Sequence, residues 1–218
     1  MLSQTEENYL KAVLKLSPEG QVVSTNDIAN ELKTKASSVT DMIQKLSDKN
    51  LINYKKYHGS TLSRKGKKVA LDVLRKHRLW EVFLVEKLNF KWDEIHVIAE
   101  QLEHVHSSEL INRLDQFLGF PRLDPHGDPI PDSEGNIAAI KEIALSALKT
   151  GSMGVIIGVK DSSNDFLQYL DSIGIHLGTK IEILKTFPYD NSMEIKCNGN
   201  KVIMVSSVVA KNLSINES

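Results

Sequence analysis

Residues 24–46 read STNDIANELKTKASSVTDMIQKL, and this stretch decides the fold of the N-terminal third of the chain. A serine or threonine at its start can cap a first short helix, and KTK at 33–35 supplies a polar turn. A second helix, 36–46, repeats apolar residues at helical spacing, namely Val39, Ile43 and Leu46. Two short helices joined by a tight turn predict a helix-turn-helix.

The flanking segments extend this motif. Residues 5–16, TEENYLKAVLKL, carry a helical pattern of apolar residues. LINYKKYHGSTLS at 51–63 alternates apolar and polar residues and is broken by His58-Gly59, which predicts a β-hairpin. A hairpin after a helix-turn-helix forms a wing, and the basic run RKGKK at 64–68 follows it directly. The pattern therefore predicts a winged helix that binds DNA.

The residues predicted to contact DNA lie on the second helix of the motif and beside the hairpin turn. Small hydroxyl side chains suit contacts with phosphates and base edges, and lysines suit phosphates. The set is Ser37, Ser38, Thr40, Asp41, Lys45, Lys55 and Lys56. Helix capping would also explain one of the serines, and a solvated helix start would also explain RKGKK, so both alternatives stay open.

The distribution of charge agrees with a basic, nucleic-acid-binding N-terminal segment that is followed by an acidic segment. Residues 1–76 carry 14 Lys and Arg against 8 Asp and Glu, whereas residues 77–150 carry 7 against 13. No apolar run approaches the roughly 18 residues of a membrane span, and the acidic start does not resemble a signal peptide. We therefore expect a cytoplasmic protein. The single cysteine, Cys197, excludes an internal disulfide and a cysteine-based zinc site.

Ligand-type side chains concentrate in HVIAEQLEHVH, residues 96–106. If this stretch is helical, Glu100, Glu103 and His104 share one face, with His96 one turn before them. Two carboxylates and an imidazole on one face indicate a metal site, but a solvated acidic face has the same spacing. On the long helix predicted from about residue 64, His77 and Glu81 also share a face. These nitrogen and oxygen donors suit Mn²⁺, Fe²⁺ or Zn²⁺.

Enzyme classes that use such donors are not favoured by the motifs. EQLEH fits neither the HExxH nor the HxxEH motif of zinc proteases. Glu103-x-x-His106 is one half of a di-iron motif, and a second half is not found in the sequence. Nucleotide-binding loops and GxSxG are also absent from the sequence. A metal-dependent enzyme or a metal-storage protein nevertheless remains the alternative to a DNA-binding regulator.

The C-terminal part of the chain changes character. PRLDPHGDPIPDSEGN at 121–136 is a turn-rich linker, and 137–150 is predicted as a short helix or, in part, an extended connection. GVIIGV, TKIEIL, SMEIKC and KVIMVS are β-type runs, with a short helix predicted at DFLQYLDSIGI. This spacing predicts a small open barrel. The fold class is therefore mainly α with a β-rich C-terminal domain.

Several of these motifs, in this order, resemble one family. They are TEENYLKAV, SSVTDMIQKL, RKHRLWEVFL, HVIAEQLEHV and DPHGDPIP. The chain resembles the iron- and manganese-dependent repressors, the family of the diphtheria toxin repressor and the bacterial manganese transport regulators. The resemblance implies a winged-helix domain at 1–75, a helical metal-binding and dimerisation domain at 76–140, and a linker with an SH3-like domain at 141–218.

The resemblance also implies two metal positions in each subunit. The effector position takes Asn8, Glu100, Glu103 and His104. The neighbouring position takes His77, Glu81, His96 and, from the C-terminal domain, Asp165. A second C-terminal ligand position carries Ser162, which is a poor ligand.

The sequence departs from the family's pattern at the effector position. Glu100 and Asn8 stand where the iron-sensing branch has Cys and Met, and oxygen in place of sulfur favours the harder Mn²⁺. The manganese branch has Asp and Glu where this chain has Asn8 and Lys11. A neutral ligand would weaken the site, and a lysine near it would repel a cation.

These observations predict a homodimeric transcriptional repressor activated by Mn²⁺ or Fe²⁺, which controls genes of metal-ion homeostasis. A winged helix reads one half-site, so the partner is expected to be a palindromic double-stranded operator bound by a dimer.

Overall fold

The computed structural model describes residues 2–55 and 58–217 and confirms a mainly helical chain with a β-rich C-terminal domain. The helices are α1 (Gln4–Leu16), α2 (Thr25–Glu31), α3 (Ala36–Asp48), α4 (Arg64–Leu88), α5 (His96–Leu102), α6 (Ser108–Phe117), α7 (Asn164–Ile173) and α8 (Ser207–Asn212). The strands are β1 (Ile52–Lys55), β2 (Gly59–Leu62), β3 (Ile143–Ala144), β4 (Met153–Val159), β5 (Lys180–Thr186), β6 (Met193–Cys197), β7 (Lys201–Val205) and β8 (Leu213–Glu217).

The chain forms two compact units. The first comprises residues 1–80, 100–114 and 131–137, and the second comprises residues 81–99, 115–130 and 138–218. In the described part of the chain, no helix is both long enough and apolar enough to cross a membrane.

The first unit contains the predicted helix-turn-helix and wing. A capping box starts α1: the hydroxyl of Ser3 accepts a hydrogen bond from the backbone N–H of Glu6, whose carboxylate accepts one from the N–H of Ser3. The hairpin β1–β2 pairs antiparallel, and Val23 exchanges two backbone hydrogen bonds of 2.9 Å with Ser60, which fix the wing beside the segment before α2. The apolar faces predicted for α1, α2 and α3 form one core, which includes Leu10, Val13, Ile28, Val39, Ile43 and Leu46.

Gly66 holds the start of α4 against the start of β1. A Cβ added at Gly66 would lie 1.9 Å from the carbonyl oxygen of Leu51, a distance that no side chain tolerates. The N–H of Gly66 donates a hydrogen bond of 3.0 Å to the hydroxyl of Ser63. This close backbone approach explains a glycine in the first turn of a long helix.

The second unit contains a six-stranded antiparallel sheet in the order β3-β8-β4-β5-β6-β7. Its core gathers the alternating inward residues of the strands together with α7, and includes Ile156, Leu167, Leu170, Ile181, Ile183, Ile195 and Ile215. This arrangement fits the predicted small open barrel. The segment 137–150 has little regular secondary structure: it contains the two-residue strand β3 and a single 3-10 turn at Leu145–Ala147.

Three C-terminal elements were not expected from the sequence: β3, α8 and β8. Residues 207–212, SVVAKN, contain two valines and continue a β-type run, but they form a helix. The hydroxyl of Ser206 caps this helix by accepting from the N–H of Val209, and Val209 and Ala210 are buried in the core. Local capping and tertiary packing therefore override the β propensity of valine.

We expect Gly66→Ala to lower the free energy of unfolding by about 2 kcal/mol or more, although alanine favours helices by roughly 1 kcal/mol over glycine. The clash with the Leu51 carbonyl outweighs that preference, because Leu51 directly precedes β1 and a shift of its backbone would disturb the start of the wing. Urea unfolding measures the difference. Lys67→Ala, on the exposed face of the same turn, is the matched control and should change stability by less than about 0.5 kcal/mol. A Gly66→Ala variant as stable as the control would contradict the close approach.

Candidate metal centre

The stretch that raised the metal hypothesis is not one continuous helix. α5 ends at Leu102, and Glu103 and His104 lie in the turn that follows, where the N–H of Val105 donates to the carbonyl of Leu102 at 3.2 Å. The next helix, α6, begins at Ser108, where the hydroxyl of Ser107 accepts a hydrogen bond from the N–H of Leu110 at 3.3 Å. Glu103 and His104 are therefore brought together by a turn, rather than by the shared helical face that the spacing suggested.

Glu103 is the centre of the first cluster, and its side chain is fully buried. One carboxylate oxygen, Oε2, lies 2.7 Å from Nζ of Lys11 and 2.6 Å from Nδ1 of His77. The other, Oε1, lies 2.7 Å from the same ammonium, although that contact is too poorly aligned to be a hydrogen bond. Lys11 also approaches the exposed Glu100 at 3.9 Å. All of these residues belong to the first unit.

These contacts determine the protonation state of the Glu103 carboxyl group. Burial alone would raise the pKa of its carboxyl, but the hydrogen bond with His77 and the positive charge of Lys11 lower it further than burial raises it. The pKa of Glu103 therefore lies below its ordinary value, and the group is a carboxylate at neutral pH. A buried carboxylate of this kind is a strong ligand for a cation.

The carboxylate of Glu7, on α1, orients the imidazole ring of His104 toward Glu103. Its Nδ1 lies 2.6 Å from Oε2 of Glu7, and its Nε2 lies 3.7 Å from Oε1 of Glu103. When Nδ1 donates to Glu7, the lone pair of the ring resides on Nε2, on the side of Glu103. Metal-ligating histidines are held in this way by a second carboxylate. Glu7 had no predicted role, because in the sequence it is one of two adjacent acidic residues in the first turn of a helix.

Two of the predicted effector residues each carry a buried side-chain oxygen that a cation could coordinate. Oδ1 of Asn8 and Oε1 of Glu103 have no hydrogen-bond partner among the described residues. The unpartnered oxygen of Asn8 costs free energy, and coordination of a cation would remove that cost. Oε1 of Glu103 already lies 2.7 Å from the ammonium of Lys11, so there a metal ion would replace an existing positive charge. The predicted effector residues Asn8, Glu100, Glu103 and His104 thus offer oxygen and nitrogen donors, and none offers sulfur.

A second group of ligand-type residues lies in the second unit. One ligand atom each from Glu81, Asp124 and His126 lie within 4.8 Å of one another, and all three residues are buried. Nδ1 of His96, which is exposed, lies 3.4 Å from Oε1 of Glu81. Glu81 and His96 were predicted from the sequence, whereas Asp124 and His126 were not. Their signal was the DPHGDPIP stretch, which was interpreted as a turn-rich linker.

Backbone contacts fix the loop that carries His126. Oδ1 of Asp124 accepts from the N–H groups of His126 and Asp128, at 2.8 and 3.0 Å. Nε2 of His126 lies 2.9 Å from the carbonyl of Trp92, so a proton on Nε2 leaves Nδ1 as the acceptor, 3.9 Å from Glu81. Gly127, at φ +90°, packs so tightly on β4 that a Cβ would lie 2.0 Å from the carbonyl oxygen of Ile157. Only glycine fits there.

His77 and Asp165 complete the list of predicted ligands. His77 is buried on α4, one helical turn before Glu81, and its Nδ1 is engaged by Glu103. Asp165 is exposed in the first turn of α7 and does not belong to the group formed by Glu81, Asp124 and His126. Its role as a ligand stays a prediction.

The predicted DNA-contacting residues lie on the surface of the first unit. Ser37, Ser38, Thr40, Asp41 and Lys45 on α3 and Lys55 at the end of β1 are exposed, and Lys56 lies outside the described residues. The N-cap of α3 is Lys35, so neither serine is at the capping position that the alternative reading required. The hydroxyl of Thr40 donates to the carbonyl of Ala36 at 3.0 Å.

Three family models match the chain. The family model of the iron dependent repressor N-terminal DNA binding domain matches residues 1–60, that of the iron dependent repressor metal binding and dimerisation domain matches 63–132, and a FeoA domain model matches 143–217. The iron-dependent repressor IdeR of Mycobacterium leprae is 30% identical over 163 residues, which cover 72% of this chain and 71% of that protein. The chain belongs to the family of iron- and manganese-dependent repressors.

Other members of the repressor family match along most of the chain. The diphtheria toxin repressor of Corynebacterium efficiens is 27% identical over 199 residues, or 84% of each chain. A manganese-dependent transcriptional repressor solved in complex with manganese has a TM-score of 0.87 at 32% identity, covering 97% of this repressor and 99% of that chain. The manganese regulator SloR has a TM-score of 0.74 at 31% identity and covers 98% of each.

Glu6 links α1 of the repressor to α3. Its buried carboxylate lies 2.6 Å from Nζ of Lys49 and 3.1 Å from Nζ of Lys45. The hydrogen bond from Lys49 is the main reason that the pKa of Glu6 is lowered from 4.5 to about 2, and Lys45 adds to the effect. Because this pKa is lower in the folded state, the pair stabilises the fold above about pH 4.5, and the contribution is lost as the pH falls toward 2.

We therefore expect Glu6→Gln to be destabilising at pH 6 by about 1–2 kcal/mol, a value reduced from the full linkage because both lysines are partly exposed. The difference from the parent protein should shrink as the pH is lowered to 3. Urea unfolding at both pH values measures it. The surface pair of Lys15 and Glu31, 2.7 Å apart, provides the control variant Glu31→Gln, since exposed pairs contribute little. Parallel stability profiles for Glu6→Gln and the parent would contradict the assignment.

Proposed function

We propose that this protein is a cytoplasmic, homodimeric transcriptional repressor that binds a palindromic operator when Mn²⁺ or Fe²⁺ occupies the cluster of Asn8, Glu100, Glu103 and His104, and that it controls genes of metal-ion homeostasis. The observation that carries the proposal is the meeting of α1 with the turn after α5. Glu7 and Lys11 of α1 reach His104 and Glu103 at 2.6 and 2.7 Å.

α1 is the element through which the cluster can act on DNA binding. On one side, Glu7 and Lys11 contact His104 and Glu103 in the turn after α5. On the other side, Glu6 pairs with Lys45 of α3, the helix predicted to read DNA, and with Lys49, which directly follows that helix. A bound cation supplies attraction between the oxygen and nitrogen donors of α1 and those of the turn. The ion then favours the DNA-competent position of α1, as activation requires thermodynamically.

The donor set supports a manganese or iron ion over a softer one. Asn8, Glu100 and Glu103 offer oxygen and His104 offers nitrogen. The single cysteine, Cys197, is buried in the sheet of the second unit, where burial raises the pKa of its thiol, so it does not contribute a thiolate. Intrinsic affinity favours zinc over both ions, so geometry and availability select manganese or iron.

Exposed apolar side chains support the homodimer. In the second unit Leu88, Val97, Phe117 and Phe120 are each more than half exposed. Phe117 and Phe120 lie inside the segment matched by the metal binding and dimerisation domain. Large apolar side chains that remain in contact with water in a folded monomer are typical of a surface buried by association.

Metal titration of DNA binding tests the proposal. We expect Glu103→Gln to fold but to lose Mn²⁺-stimulated binding, because the variant replaces the buried carboxylate with a neutral amide. The measurement is fluorescence anisotropy with a duplex that the parent protein selects from a random pool in the presence of Mn²⁺. Glu109→Gln, at an exposed residue paired with Arg113 at 2.6 Å, is the matched control. Full activation of Glu103→Gln by Mn²⁺ would rule out the cluster as the effector site.

The lysines of the wing should raise the affinity for DNA through their charge, without discriminating between sequences. We expect Lys55→Ala with Lys56→Ala to weaken all duplexes alike and to lower the slope of log K against log salt by up to about 2, roughly one per phosphate contact. Anisotropy at several salt concentrations gives the slope. Lys180→Ala with Lys211→Ala removes two exposed lysines of the second unit and serves as the control. A changed sequence preference at an unaltered slope would show that these lysines do not contact phosphates.

A further inference from the structure

We propose that Lys11 is a built-in counter-cation of the effector cluster, whose ammonium group an activating divalent ion must displace. This proposal rests on the proposed function, because it concerns the same cluster. It adds a residue that sets the concentration of metal at which the repressor responds. The side chain of Lys11 is only 19% exposed, and that of Glu103 is not exposed at all.

The position of the ammonium group carries the inference. Nζ of Lys11 lies 2.7 Å from each oxygen of the Glu103 carboxylate and 3.9 Å from Oε1 of Glu100. A divalent ion bound by Glu100 and Glu103 needs the same oxygen atoms. Two cations cannot share them at these distances, since their repulsion in a poorly hydrated site would exceed the attraction that each gains.

The metal-free cluster needs this positive charge. Glu103 is buried, and Glu7 is buried beside His104. Removal of one partner from a buried ion pair leaves an uncompensated charge, which is strongly destabilising. Lys11 therefore stabilises the metal-free protein, and it does so by making the contact between α1 and the turn that a metal ion would otherwise make.

The chemistry of lysine suits a displaceable cation. Its ammonium is a compact charge on a flexible four-carbon stem, so it can withdraw toward water without moving α1. Binding of metal then includes the cost of breaking the pair between Lys11 and Glu103, which weakens the apparent affinity. A charged residue that competes with the effector raises the metal concentration needed for repression.

Lys15 provides a matched comparison on the same helix. It lies one turn after Lys11, its side chain is 69% exposed, and it pairs with Glu31 at 2.7 Å. Substitution of either lysine by methionine removes one positive charge from α1 and keeps most of the apolar stem of the side chain. Only the substitution at Lys11 removes a charge from the effector cluster.

The experiment measures metal binding without DNA. We would titrate full-length parent, Lys11→Met and Lys15→Met with MnCl2 by isothermal calorimetry, and record thermal unfolding of each in chelator. We expect Lys11→Met to bind Mn²⁺ at least about tenfold more tightly than the parent, which corresponds to roughly 1.4 kcal/mol, and to unfold at a lower temperature in chelator. Lys15→Met should match the parent in both. Unchanged or weaker Mn²⁺ binding by Lys11→Met overturns the proposal.

A measurement on the parent protein keeps the proposal testable if Lys11→Met does not fold. An amine-reactive acylating reagent should modify Lys11 slowly in chelator and several-fold faster with saturating Mn²⁺, as read by mass spectrometry, while the rate at Lys15 stays constant. A rate at Lys11 that is unchanged or lower with Mn²⁺ overturns the proposal. If neither the parent nor Lys11→Met binds Mn²⁺, the proposed function fails as well. If the parent binds with the same affinity as Lys11→Met, only the role of Lys11 fails.

Discussion

The buried carboxylate of Glu103 is the constraint on which the first unit depends. A negative charge without solvent must be neutralised by its neighbours, and Lys11 and His77 approach it to 2.7 and 2.6 Å. These partners come from α1 and α4, so neutralising one group also ties two helices to the turn after α5. In the proposed function, the interactions that stabilise this part of the fold are also those that respond to metal, because a cation bound by Glu103 would change the contacts that hold α1.

Two adjacent residues of α1 contact different parts of the first unit. Glu6 and Glu7 are neighbours in sequence, yet Glu6 pairs with lysines of α3 whereas Glu7 holds His104. Successive helical residues point about 100° apart, so two consecutive glutamates can serve two different surfaces. A helix is stiff over such a short length, which makes α1 suitable for relaying a small displacement from the turn to α3.

The periodicity of apolar residues predicted the helices and the hairpin of the N-terminal domain better than it predicted the residues of the candidate metal site. The inward faces of α1, α2 and α3 follow from helical spacing, and the hairpin follows from alternation around Gly59, because both depend on local patterns. Glu7 and His126 could not be predicted in this way. Each acquires its role from a partner far along the chain, His104 or Trp92. α8 was missed for the same reason: burial of Val209 against the sheet overrides its local preference.

Gly127 packs closely on β4, and this contact fixes the loop with Asp124 and His126 to the C-terminal sheet. The carbonyl of His126 also accepts a hydrogen bond from the N–H of Val159, at 2.9 Å. Asp124 and His126 therefore owe their positions to a strand that begins some thirty residues later. A gene that ended before the sheet would still encode Asp124 and His126, but it would not encode the strand that orients them. Loss of the C-terminal domain during evolution would require the loop to acquire a new support.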